Sequence, residues 1–190
     1  MNLRNCRNIV FALTATLSPL SVFAQTPAGT TAPADKMFLH KAAQGGYAEV
    51  QFGQLAAQKG NSDEVKKFGQ KMVDDHTSLN DQMKPFVDAA GLQAPTKLDK
   101  KNQAEYDKLN GLSGDDFDKE YLASMVKDHH MDLHEFRHEE ASTTDPNLKD
   151  AVAKGESVIK EHTEMVDKLA RDKGVPVPSH KAAASSGAAQ

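Results

Sequence analysis

Apolar side chains along this chain recur at the alternating three- and four-residue steps that keep one face of a helix turned toward a core. The clearest stripe reads Val65, Phe68, Met72, His76, Leu79, Met83, Phe86. A second reads Phe117, Tyr121, Met125, His129, Leu133, Phe136, and a third Leu148, Val152, Gly155, Ile159, His162, Val166, Leu169. Each stripe carries one histidine where packing alone would place an apolar residue such as leucine. An earlier segment is rich in small residues (Ala42, Gly45, Gly46, Gly53, Ala56, Ala57) and predicts a helix that a neighbour can approach closely.

Punctuation between the stripes sets the boundaries. Asp35 is the expected cap of the first helix, which Gly60 and Asn61 end. Ser62 opens the second, with Asp63 and Glu64 favouring the positive end of its dipole. Pro85 is expected to kink the last turn of that helix and Gly91 to close it. Residues 91–116 are less regular, with Pro95, Gly111 and Gly114 around a weak helical stretch near Asp99 to Leu109. Asp145 then caps the last helix, Pro146 fits its first position, and Gly174 and Pro176 stop it.

Four helices of about 25 residues are each about 37 Å long. Short turns join the first and last pairs, and the connection between helices 2 and 3 is long. The expectation is an all-α, ferritin-like four-helix bundle.

The ends add a compartment. Arg4 and Arg7 precede an apolar run from Ile9 to Leu17, and Val22-Phe23-Ala24 supplies small residues for cleavage, so residues 1–24 read as a signal peptide. Residues 25–34 read as a disordered linker, 35–174 as the helical domain and 175–190 as a disordered tail. Cys6, the one cysteine, precedes the apolar run, so it is no lipoprotein attachment site and leaves with the signal. A mature chain without thiols excludes disulfides and thiolate metal sites.

Without Arg4 and Arg7, the 23 Lys+Arg become 21 against 27 Asp+Glu, a net charge of −6. That balance excludes general nucleic-acid binding. No other apolar stretch suits a membrane span, and a bacterial periplasm is the expected location.

The chemistry lies in the three stripe histidines. His76, His129 and His162 stand near mid-helix, and the corresponding residue of the first helix is Glu49. Glu plus three His is a mixed N/O set suited to iron, manganese, zinc or copper. Asp75, Asp128 and Glu161 each precede one of the histidines, pointing about 100° away around the helix. They read as partners that orient ligands or bridge helices. The competing reading makes each histidine a core residue bonded to a carboxylate of a neighbouring helix. Met72, Met125 and Met165 permit a softer copper(I) site, although methionine at helical spacing is commonly core filler.

His130, His134 and His138 form a separate i, i+4, i+8 row among Glu135, Glu139 and Glu140, which reads as a solvated face. No Glu-x-x-His pair of the di-iron carboxylate type precedes His76 or His162, where Val73 and Ile159 stand instead. There is also no nucleophile elbow or phosphate loop, so hydrolase and NTPase readings have no support.

One phrase occurs twice: Met72-Val73-Asp74-Asp75-His76 and Met125-Val126-Lys127-Asp128-His129. Together with Phe38-Leu39, Ala42-Ala43-Gln44-Gly45-Gly46, Ala48-Glu49-Val50, Leu55-Ala56, Val65-Lys66-Lys67-Phe68, Phe117-Asp118, Tyr121 and His162, it resembles the bacterial domain-of-unknown-function 4142 family. The resemblance covers nearly the whole helical region. It implies an exported ferritin-like bundle, often labelled an outer membrane protein, and points to Glu49, His76, His129 and His162. It implies no established activity. The functional expectation is a periplasmic bundle that binds a transition metal for metal handling or stress protection, the alternative being a non-metal structural or interaction module. A metal-dependent oxidase or peroxidase would need redox turnover as well.

Overall fold

The computed structural model describes residues 31–178, and among them every regular element is a helix. The four long helices are α1 (Pro33–Lys59), α2 (Asp63–Ala89), α4 (Gly114–Ser142) and α5 (Pro146–Asp172). The weak stretch of the middle connection is a short helix, α3 (Lys100–Asn110). The expected signal peptide lies outside the described residues, as do most of the linker and the last twelve residues of the tail.

The caps explain most boundaries. The Ser62 hydroxyl accepts from the Val65 amide, Asp99 from Asn102, and Asp145 from Asn147 and Leu148. Asp35 is not the cap of α1. That helix starts earlier, with Ala32 at the cap position and Pro33 in its first turn, and Asp35 instead accepts a 3.1 Å hydrogen bond from the Thr143 hydroxyl at the end of α4. α2 continues through Pro85 to Ala89. Pro85 is exposed, so the carbonyl it leaves without an amide donor faces solvent.

The first residues that composition assigns to the tail pack on the bundle. Gly174 takes φ of +72° past the end of α5, and the Val175 amide returns to the Ala170 carbonyl at 2.8 Å. This closure turns the next side chain back onto the helix, so Val175 is buried in the core and Val177 packs partly against it.

Two polar contacts fix the topology. At one end, Asp118 at the start of α4 accepts from the Asn61 and Ser62 amides at 2.7 and 3.0 Å and from Lys173 past the end of α5 at 3.1 Å. At the other end Asp35 of α1 meets Thr143 after α4. So α1/α2 and α4/α5 are antiparallel hairpins, and the connection containing α3 runs the length of the bundle to make α2 parallel to α4. The small residues bring the hairpin helices close. A Cβ on Gly53 would lie 2.7 Å from the Gly69 carbonyl oxygen of α2.

The core has two apolar halves. One contains Phe52, Phe68, Met72, Phe117, Tyr121, Met125 and Val166, and the other Phe38, Leu79, Met83, Leu133, Phe136 and Ile159. On α2, α4 and α5 the residue between the halves is His76, His129 and His162 in turn, and on α1 Glu49 adjoins the first half.

Candidate metal centre

The helical stripes deliver their three histidines to one point. One ring nitrogen from each of His76, His129 and His162 lies within 4.8 Å of the other two. Their ring centroids are 5.2 to 5.7 Å apart. The rings are almost inaccessible, with His129 and His162 at 0% exposure and His76 at 3%.

Each ring keeps a nitrogen without a hydrogen-bond partner: Nε2 of His76, Nε2 of His129 and Nδ1 of His162. For two of them the opposite nitrogen is held from behind. His129 Nδ1 donates to the Met125 carbonyl at 3.0 Å, and His162 Nε2 donates to Asp75 Oδ2 at 2.7 Å. Those bonds fix the tautomers and leave a lone pair on each free nitrogen.

Burial keeps the three rings neutral. It lowers His76 well below the ordinary imidazole range, helped by repulsion from His129 and His162. It takes His129 down to about 3, with His162 adding to the effect and the Met125 carbonyl opposing it. His162 is lowered by burial although the Asp75 bond works the other way. Neutral imidazole is the form that ligates a metal.

Behind His162 a charged chain reaches the surface. Lys71 lies 2.9 Å from both Asp75 and Glu161. Partial burial would raise Asp75, but its bonds from Lys71 and His162 outweigh this and hold it below the usual carboxylate range. Asp75 therefore orients a histidine of the opposite helix, whereas Glu161 reaches the centre only through Lys71. Asp128 makes no bond to any of the three rings; it lines a groove between α1 and α4 with Glu49 and Asp132.

Glu49 is buried in the same layer but is not one of the converging group. Its Oε1 lies 3.9 Å from His129 Nδ1, the edge already used by Met125, and its Oε2 has no partner. Burial raises this carboxyl well above its ordinary value, and Asp132 and Asp128 raise it further. Tyr121, also buried with its hydroxyl unpartnered, is raised by burial and by the proximity of Glu49. Met72 and Met125 are fully buried among apolar residues of one core half.

The sequence profile of the domain of unknown function DUF4142 matches residues 20–185. The chain belongs to the DUF4142 family. No curated protein matches it. Among solved structures it is similar to a DUF305 protein from Streptomyces coelicolor, with a TM-score of 0.64, 16% identity and coverage of 77% of this chain and 98% of the other. It is also similar to a DUF305 fragment from Deinococcus radiodurans, with a TM-score of 0.63, 10% identity and coverage of 77% and 99%. At these identities the likeness concerns the helical fold alone.

The second histidine row of this DUF4142 protein does not converge. His130 Nε2 donates to Asp167 Oδ1 of α5 at 3.0 Å, while His134 and His138 are exposed. Lys71 and Tyr121 were not among the site residues that the stripes suggested. Lys71 had a readable signal, because it precedes Asp75 by one helical turn. No helix among the described residues is long and apolar enough to cross a membrane.

Proposed function

We propose that this DUF4142 protein is an exported, periplasmic ferritin-like bundle that holds one transition-metal ion on His76, His129 and His162, serving metal handling or stress protection. The observation that carries the reading is the trio of buried ring nitrogens without partners. An unsatisfied buried polar group costs about 1–3 kcal/mol. A core that keeps three such nitrogens on rings whose ligand atoms converge to within 4.8 Å carries a cost that a shared cation would remove.

Three neutral nitrogen donors suit zinc, copper or iron better than the hard, oxygen-seeking magnesium or calcium. Ligation at about 2.0–2.1 Å would draw the three rings together from a nitrogen spacing of up to 4.8 Å. Glu49 is the nearby acid that would balance the charge of the ion, and Asp75 the group that orients His162.

A structural reading draws on the His162–Asp75 and His130–Asp167 bonds, which tie α5 to α2 and to α4. It gives no use to the unpartnered nitrogens. Elemental analysis of untagged protein purified from the periplasm, beside a His76→Ala/His162→Ala double variant, separates the two. Near-stoichiometric metal in wild type that vanishes in the variant supports the metal reading. No metal, or equal metal in both, contradicts it and leaves the histidines as structural residues.

A further inference from the structure

The buried centre is not sealed on every side. A cavity of about 40 Å³ is lined by the buried His76 and by the half-exposed Lys41 and Glu135, with Asn80 and Asp132 also in its wall. One water needs only about 10–15 Å³ of such space, so the cavity admits a small hydrated species. The rest of its lining is mostly apolar and belongs to one half of the core.

The opening depends on α1 having no side chain there. A Cβ on Gly46 would fall 2.1 Å from Asn80 Oδ1 of α2, so the glycine is what lets the Asn80 amide rest against α1. At Gly45, the nearest atom to a Cβ would be Asp132 Oδ2, at 4.0 Å. Gly46 thus seats the Asn80 amide of α2, and Gly45 leaves a slot in front of the Asp132 carboxylate of α4. In the same lining, Lys41 Nζ and Glu135 Oε1 form a 2.8 Å ion pair whose side chains are 55% and 41% exposed, which puts the pair at the surface end of the cavity. Such a surface pair contributes little and opens readily.

Resting on the metal-binding reading, we propose that this slot is the route by which a divalent cation reaches the three histidines, with Asp132 holding the ion in transit and the Lys41–Glu135 pair closing the mouth. An apolar passage would reject an ion outright, because an uncompensated charge is costly to desolvate. The Asp132 carboxylate in the lining offers replacement ligation. Behind His162 stands the ion-paired Asp75–Lys71–Glu161 chain instead.

The test is the rate of cobalt(II) uptake by metal-free full-length mature protein, followed by visible absorption of the bound ion. Asp132→Asn is expected to slow uptake about tenfold, the lower range for removing a charge that concentrates a cation, while one ion still binds at equilibrium. Lys41→Gln, a surface change that leaves the helices intact, is expected to speed uptake severalfold. Unchanged rates in both variants, or acceleration by Lys71→Gln alone, would overturn the route while leaving the metal site standing. Wild-type protein that takes up no cobalt(II) overturns the metal-binding reading, and the route with it.

Discussion

His129 and His130 are adjacent on α4 and belong to different kinds of place. His129 is fully buried, its Nδ1 is spent on a backbone carbonyl, and its Nε2 has no partner within a layer shared by His76 and His162. His130 is half-buried and spends a nitrogen on Asp167, and the rest of its row, His134 and His138, faces solvent. The surface row has the helical spacing usually sought in a metal site, yet its members point into water or into an ion pair. The buried set has no spacing motif at all, since its members come from three helices. Burial makes the difference, because it removes water as the alternative partner and leaves another protein group, or a metal, to take its place.

The largest test of this contrast is ligand removal. Either His76→Ala or His162→Ala is expected to abolish tight metal binding, whereas the paired His134→Ala/His138→Ala variant keeps it, as equilibrium dialysis would show. A result with the roles reversed would move the site to the surface of α4.

Next in size is the orienting bond. Asp75→Ala leaves all three rings present but frees His162 Nε2, and loss of such outer partners weakens metal affinity about 10–100-fold. Competition against a chelator of known affinity measures it. Asp128→Ala, which removes a carboxylate with no bond to the rings, is expected to change affinity much less.

A third test contrasts the histidine layer with a buried polar cluster that has no role in it. Glu139, beside Asp35 at the far end of the bundle, is raised to about 7 by burial and by the Asp35 charge. In the folded protein it keeps its proton to about pH 7, whereas the unfolded chain releases it near the ordinary carboxyl value of 4.5. The folded state therefore binds more protons across that window, and this contribution to stability is lost as pH rises through about 7. Glu139→Gln is expected to remove that loss, gaining about 2 kcal/mol over wild type at pH 8 and much less at pH 4.5, by urea denaturation at both values.

The smallest effect is expected from His76→Leu in metal-free protein. Leucine completes the α2 stripe and removes a buried nitrogen without a partner, so stability should rise by about 1 kcal/mol while metal binding is lost. If His76 held the bundle in register instead, the same change would destabilise it.

Much of this was written in the periodicity. The stripes of α2, α4 and α5 are all-helical in pattern, and their mid-positions identify the three histidines before any contact is known. Ser62, Asp99 and Asp145 cap their helices because short polar side chains next to a stripe have little else to bond. What the pattern could not supply was relative rotation between helices. Glu49 sits at the right height on α1 but turns toward the α4 groove and the occupied edge of His129. Asp75 and Asp128 occupy equivalent places in a repeated phrase, yet one crosses to His162 and the other makes no bond to a ring. Asp35 and Val175 depart from the pattern for a related reason. Each looks like an end residue by local chemistry, and each is claimed by a tertiary partner, Thr143 in one case and the α5 core in the other.

The most direct test of the central claim is the X-ray absorption spectrum of the ion bound to mature protein loaded with one equivalent of zinc. A first shell containing three imidazole nitrogens at about 2.0–2.1 Å is expected, with the imidazole scattering pattern lost in His76→Leu. A shell of oxygens with fewer than two imidazoles, unchanged in that variant, would contradict it.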